Sequence, residues 1–184
     1  GLPVTAFLDI RQVRELVVLH DEKETGPYLP VFLRLLECWH RQGVKIWRLR
    51  FDRYPMQLRP AGSLASVSLA DVAKQFPEAM LIVFAARLDL YGLHGRLAWP
   101  EHLTEFPLRV WLDPDPRVPA ERSPVERTAI LPLQSLLARF PMTATGLMAM
   151  ARYLAGQGGL FSHSWPGLPG LKDRSTQQQI EKWL

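Results

Sequence analysis

The sequence predicts an α/β fold: a Rossmann-like, open, mostly parallel sheet of five to six strands with helices on both faces. Two observations carry this. Short apolar runs alternate along the chain with amphipathic helical patterns, which is how a parallel sheet covered on both faces is encoded. The first of these runs, Glu15-Leu16-Val17-Val18-Leu19, ends in the polar cluster His20-Asp21-Glu22-Lys23-Glu24-Thr25. A buried parallel strand that delivers acidic and hydroxyl groups to its carboxyl end is where open α/β sheets build ligand sites.

Each element follows in order. The first strand is expected over 15–20. Leu29, Phe32, Leu33, Leu36 and Trp39 then recur on one helical face while Arg34, Glu37 and Arg41 point away, and Gly43 stops the helix. Val44 to Phe51 alternates apolar and basic residues, the pattern of an exposed or edge-lying strand. Ser68 and Asp71 form an acidic variant of a capping box that opens a short helix over 69–76, closed by Pro77. The run 80–85 is apolar throughout and predicts a central third strand. After a loop holding Gly92 and Gly95, Trp99-Pro100-Glu101 starts another short helix, and 108–112 makes a fourth strand ended by Asp113-Pro114-Asp115-Pro116. The proline-rich stretch 113–124 reads as an extended loop. A fifth strand is expected over 128–133 and a helical region over 134–155, interrupted near Pro141. Residues 1–155 thus form the α/β domain, and 156–184, rich in Gly, Ser, Pro and Gln, a linker or docking tail with a short helix over 176–184.

The chain has 184 residues, 47% of them hydrophobic, enough for one domain with a sizeable core. Its formal charge of +4, from 22 basic and 18 acidic residues, is a mild excess rather than a basic tract. The single cysteine, Cys38, allows neither an internal disulfide nor a cysteine zinc cluster and suits the cytoplasm. No apolar stretch reaches the roughly 20 residues that span a bilayer, and Gly1-Leu2-Pro3-Val4 has neither a signal n-region nor an initiating Met, so a cytoplasmic piece of a longer protein is expected.

Several chemistries can be weighed on their residues. Cys38 lies mid-helix beside Trp39 and reads as a small core residue. His94-Gly95 lacks the strand-end cysteine a peptidase would need. Ser63, Ser66, Ser162 and Ser164 sit in no Gly-x-Ser-x-Gly turn. Asp113 and Asp115 have the Asp-x-Asp spacing of a phosphotransferase, but Pro114 and Pro116 stiffen the segment and no phosphate loop follows, so they read as a strand-terminating turn. Gly156-Gln157-Gly158-Gly159 follows a helix and is no dinucleotide fingerprint. Lys45, Arg48, Arg50 and Arg53, with Trp47 and Tyr54 nearby, are the best nucleic-acid candidates. Alternation divides them between two strand faces, which disfavours that partner.

The order of elements resembles the von Willebrand factor A fold, in the degenerate form found in bacterial multidomain conflict and signalling proteins. The resemblance rests on Val17-Val18-Leu19-His20-Asp21, on 43–52, on Val67-Ser68-Leu69-Ala70, on Pro77 through Leu81-Ile82-Val83-Phe84, and on Trp99-Pro100 leading to the strand at Leu108. It implies a metal site built from Asp-x-Ser-x-Ser, plus a Thr and an Asp from later loops, around Mg²⁺. Here Asp21 and Thr25 match in type, Lys23 replaces the middle hydroxyl, and Ala85-Ala86-Arg87 supplies no Asp. The expectation is a degenerate site with no metal or cofactor, in which Asp21 and Lys23 pair with each other. Asp21, Lys23, Thr25, Asp52, Arg53 and Arg87 would then form a protein-binding surface. The implied role is a non-catalytic adaptor or sensor domain whose partner is another protein or further domains of the same chain, with no membrane contact. The alternative is a Mg²⁺-dependent phosphoryl or nucleotide enzyme using Asp21 and Thr25, with Asp52 at the neighbouring strand end.

Overall fold

The computed structural model describes residues 15–23, 26, 28–52, 54–63, 65–86, 88, 99–115 and 133–154. Their strands are β1 (Glu15–Asp21), β2 (Lys45–Asp52), β3 (Tyr54–Pro60), β4 (Val67–Ser68), β5 (Met80–Phe84), β6 (Arg109–Asp113) and β7 (Ala138–Pro141). Their helices are α1 (Tyr28–Arg41), α2 (Leu69–Gln75), α3 (Pro100–Leu103) and α4 (Ala144–Leu154). One sheet of seven strands runs in the order β4-β3-β2-β1-β5-β6-β7. The five strands from β2 to β7 are parallel, and β3 and β4 continue the sheet antiparallel beyond β2.

Alternation along the strands sorts side chains into two cores. Leu16 and Val18 of β1, Ile82 and Phe84 of β5, Val110 and Leu112 of β6 and Phe140 of β7 pack under α1 and α4. On the opposite face, Val17, Leu19, Leu49, Phe51, Leu81, Val83 and Trp111 pack against residues of α2 and α3. The helices therefore lie on both sides, as the alternating pattern predicts. β1 and β5 are buried on both faces from Leu16 and Leu81 onward, which is why they read as unbroken apolar runs.

Helix α1 buries Tyr28, Val31, Phe32, Leu35, Leu36 and Trp39, while Leu29 and Leu33 of the expected stripe are only half-buried. Pro30 is tolerated because the first-turn N–H groups have no intrahelical acceptor. Gly43, at φ 92°, ends the helix: its own N–H donates to the His40 carbonyl and the Val44 N–H reaches back to Trp39. That is a Schellman motif, and the left-handed residue it needs is glycine. Ser68 caps α2 as its spacing predicts, the hydroxyl accepting from the Asp71 N–H and donating to the Asp71 carboxylate.

Three readings change. β2 has the exposed character expected of it, but β3 folds back along its 49–52 end, so there it is not the edge of the sheet. β3 and β4 raise the strand count above the expected five to six. β7 lies inside the span expected to be helical: the helix begins only at Ala144, after Thr143 turns the chain and its hydroxyl accepts the Gly146 N–H. Of the expected strand over 128–133, Leu133 sits in a helical turn, and the rest lies outside the described residues, as do the Gly92 and Gly95 loop, most of the 113–124 stretch and the 156–184 tail. No helix among the described residues is long and apolar enough to cross a membrane.

Candidate functional site

The carboxyl edge of the parallel strands gathers the polar residues. After β1 the chain passes to α1 on one face, whereas after β5 it passes to α3 on the other. β1 and β5 are neighbours, so the crevice between their carboxyl ends is the topological switch point, where doubly wound sheets bind ligands. His20 and Asp21 stand on one side of it and Phe84, Ala85 and Ala86 on the other.

The loop after β1 is tied down locally. The Asp21 carboxylate accepts the Lys23 backbone N–H at 2.9 Å, an Asx-type turn, and the Glu22 N–H donates to the Phe51 carbonyl at 2.8 Å. The Lys23 ammonium goes to Asp52, at 2.7 Å. The expected Asp21–Lys23 ion pair is thus replaced by two contacts: Lys23 gives its backbone to Asp21 and its side chain to Asp52. Parallel pairing of β1 with β2 brings this about, because Asp21 is in register with Phe51 and Asp52 falls one step beyond. Lys23 and Asp52 remain about half exposed, which makes their pair worth at most about 1 kcal/mol. Thr25, Arg53 and Arg87, the other interaction candidates, lie outside the described residues.

The Lys23 ammonium neutralises Asp52. Among the described residues no three His, Cys, Asp or Glu side chains converge as a metal ligand set.

Glu22 is drawn the other way. Its carboxylate oxygens lie 3.6 Å from Arg50 Nε on β2 and 3.4 Å from an Arg59 guanidinium nitrogen on β3. His20, Arg50 and Arg59 occupy matching register positions on three adjacent strands and so share one face. The His20 ring is buried, with neither nitrogen in a hydrogen bond among the described residues. Its pKa falls below the usual 6.5 chiefly because burial disfavours the imidazolium, with Arg48 and Arg50 adding repulsion against smaller pulls from the Asp21 backbone and Glu22.

A depressed histidine pKa means that the unfolded chain binds the proton more readily. The contribution of His20 to stability is therefore complete above pH 6.5 and is lost as the pH drops from there through the folded-state value. Denaturant unfolding at pH 7.5 and 5.5 is expected to show a smaller acid-side loss in His20→Asn than in the parent chain. Equal losses in the two proteins contradict this.

The Asp-x-Asp segment holds a structural pair instead. Asp113 is fully buried and forms an ion pair through Oδ2 with the Arg139 guanidinium, whose Nε donates at 2.7 Å. Its Oδ1 accepts the Asp115 N–H. The Arg139 guanidinium lies over the Trp111 ring, whose indole N–H donates to the Ala85 carbonyl. The segment ends β6 at Asp113, as expected of a strand-terminating turn, with Arg139 as an added partner. Cys38 is a half-buried free thiol on α1. Ser162, Ser164 and His94 lie outside the described residues.

Sequence reasoning passed over Arg59 and Arg139. Both depend on strands that it did not place, so their nearness to Glu22 and Asp113 had no local signal.

Fold and site together define a doubly wound α/β domain whose carboxyl-edge charges largely engage one another. No family model, no curated protein and no solved structure matches the chain.

Proposed function

We propose that the chain is a non-catalytic protein-interaction domain of degenerate von Willebrand A type, acting as the adaptor or sensor part of a larger bacterial signalling or defence protein in the cytoplasm. The observation that carries this is the exposed Lys23–Asp52 pair at the carboxyl edge, next to Asp21, which is turned onto its own loop. A charged surface at the ligand-binding edge, with no ligand set for a cation among the described residues, supports recognition of another protein. Charge pairs at such rims steer partners and set specificity more than they add affinity.

Affinity capture with the intact chain, against a variant carrying Asp21→Ala, Lys23→Ala and Arg53→Ala, tests the reading. The parent chain is expected to retain a specific protein at micromolar concentration, about −8 kcal/mol of binding free energy, and the variant to lose it with its thermal midpoint little changed. Absence of any partner at micromolar concentration, or equal retention by the variant, overturns it.

A further inference from the structure

Five buried side-chain nitrogen positions have no hydrogen-bond acceptor or donor opposite them among the described residues, and three belong to one spot: both ring nitrogens of His20 and Nε of Arg50. Buried polar groups in native folds are nearly always satisfied, so three together mark a place where something else belongs. The surroundings indicate what. His20 of β1, Arg50 of β2 and Arg59 of β3 form a row across the sheet, each about 4.8 Å from the next strand. Arg48 lies one alternation step from Arg50 on the same face. Against these three guanidinium groups stands the Glu22 carboxylate, straddling Arg50 and Arg59 at 3.6 and 3.4 Å, too far for good hydrogen bonds to either. On its other flank His20 is in register with Phe84, which stacks on Phe32 of α1 at 4.4 Å and closes the row with an apolar wall.

We propose that this row is a phosphate-binding site in which Glu22 is an internal stand-in displaced by the ligand. A carboxylate presents two oxygens in one plane and one negative charge. A tetrahedral phosphate dianion presents oxygens in several directions and can meet the Arg50 Nε, the Arg59 fork and the His20 ring at once, and its charge suits the excess of guanidinium over carboxylate. The site adjoins the switch-point crevice, so a phosphomonoester can place its phosphate on the row and its body between the ends of β1 and β5. This goes beyond the interaction reading and needs no partner protein.

The probe is inorganic phosphate, titrated calorimetrically into the full chain in an oxyanion-free buffer with ionic strength held constant by chloride. The parent chain is expected to bind in the millimolar range. Glu22→Gln is expected to bind about five- to tenfold more tightly, because a competing unit charge a few ångströms away is gone. Arg50→Gln with Arg59→Gln is expected to lose binding, and both side chains are exposed enough that the fold survives, which circular dichroism verifies. A nucleoside monophosphate run in parallel distinguishes the sources: tighter binding than phosphate marks a phosphomonoester ligand, equal binding free phosphate, and either supports the site. The proposal is overturned if neither the parent nor Glu22→Gln binds phosphate at tens of millimolar. It is equally overturned if the double Arg variant binds unchanged, or if acetate at matched ionic strength does as well.

Discussion

Replacing Asp113 by Ala is expected to lower the stability of the fold by about 3–5 kcal/mol, the usual cost of breaking a buried ion pair from one side. The Arg139 side chain is only 4% exposed, so removing the carboxylate takes a buried partner from its charge beside Trp111. Most of the loss comes from keeping that charge buried without this carboxylate, not from the attraction itself. Asp113→Leu combined with Arg139→Met is therefore expected to recover much of the stability, since two apolar groups of similar size remove both buried charges together. Denaturant titrations of the three proteins give the comparison. A double variant as unstable as the single one would mean that the pair contributes through geometry, for instance through the Asp115 N–H held by Oδ1.

The second large effect is expected at Gly146. A β-carbon there would lie 2.1 Å from the Pro141 carbonyl oxygen and 2.7 Å from its ring carbons. These are backbone and ring atoms that no rotamer change can move aside. The same turn is fixed from several directions, with the Thr143 N–H on the Pro141 carbonyl, the Met142 N–H on the Asp113 carbonyl and the Gly146 N–H on the Thr143 hydroxyl. Gly146→Ala must therefore push α4 away from β7, and we expect a loss of about 3 kcal/mol, the upper part of the range for overpacking. For a chain of this size that is a fall of about 6–12 °C in thermal midpoint. A gain in stability, as helix propensity alone would give for Gly to Ala, would show that the approach is looser than described.

The elements that were legible in the sequence are those whose signal is local. β1 and β5 announce themselves as apolar runs, α1 by its stripe and its glycine stop, α2 by Ser68 and Asp71. β3 was hidden because Pro55 and Pro60 lie in it, and prolines argue against a strand unless it sits near an edge. β4 has only two residues. β7 was hidden for a different reason: Leu133, Leu136 and Leu137 before it and Leu147, Met150 and Leu154 after it carry helical spacing on both sides of a four-residue strand. The site follows the same division. That Asp21 and Asp52 end adjacent strands could be read from the pattern, whereas the Lys23–Asp52 contact and the position of Glu22 between Arg50 and Arg59 depend on strand register. A one-residue slip in register would turn those side chains to the other face.

The central place of β1 also shapes how the molecule can be made. A ribosome delivers β1 and then β2, so the first parallel pair can close once α1 has emerged between them. The other flank of β1 must wait until Met80–Phe84 has been synthesised, because Leu16 pairs with Met80 and Val18 with Ile82. At about 5–20 residues per second, that leaves one side of this central, largely apolar strand without its neighbour for a time on the order of 3–13 s. During this interval the β2–β3 hairpin can form from local contacts, but nothing yet synthesised supplies the missing strand. Newly made chains halted between β4 and β5 should accordingly be the ones that chaperones hold longest, and release should follow the appearance of β5.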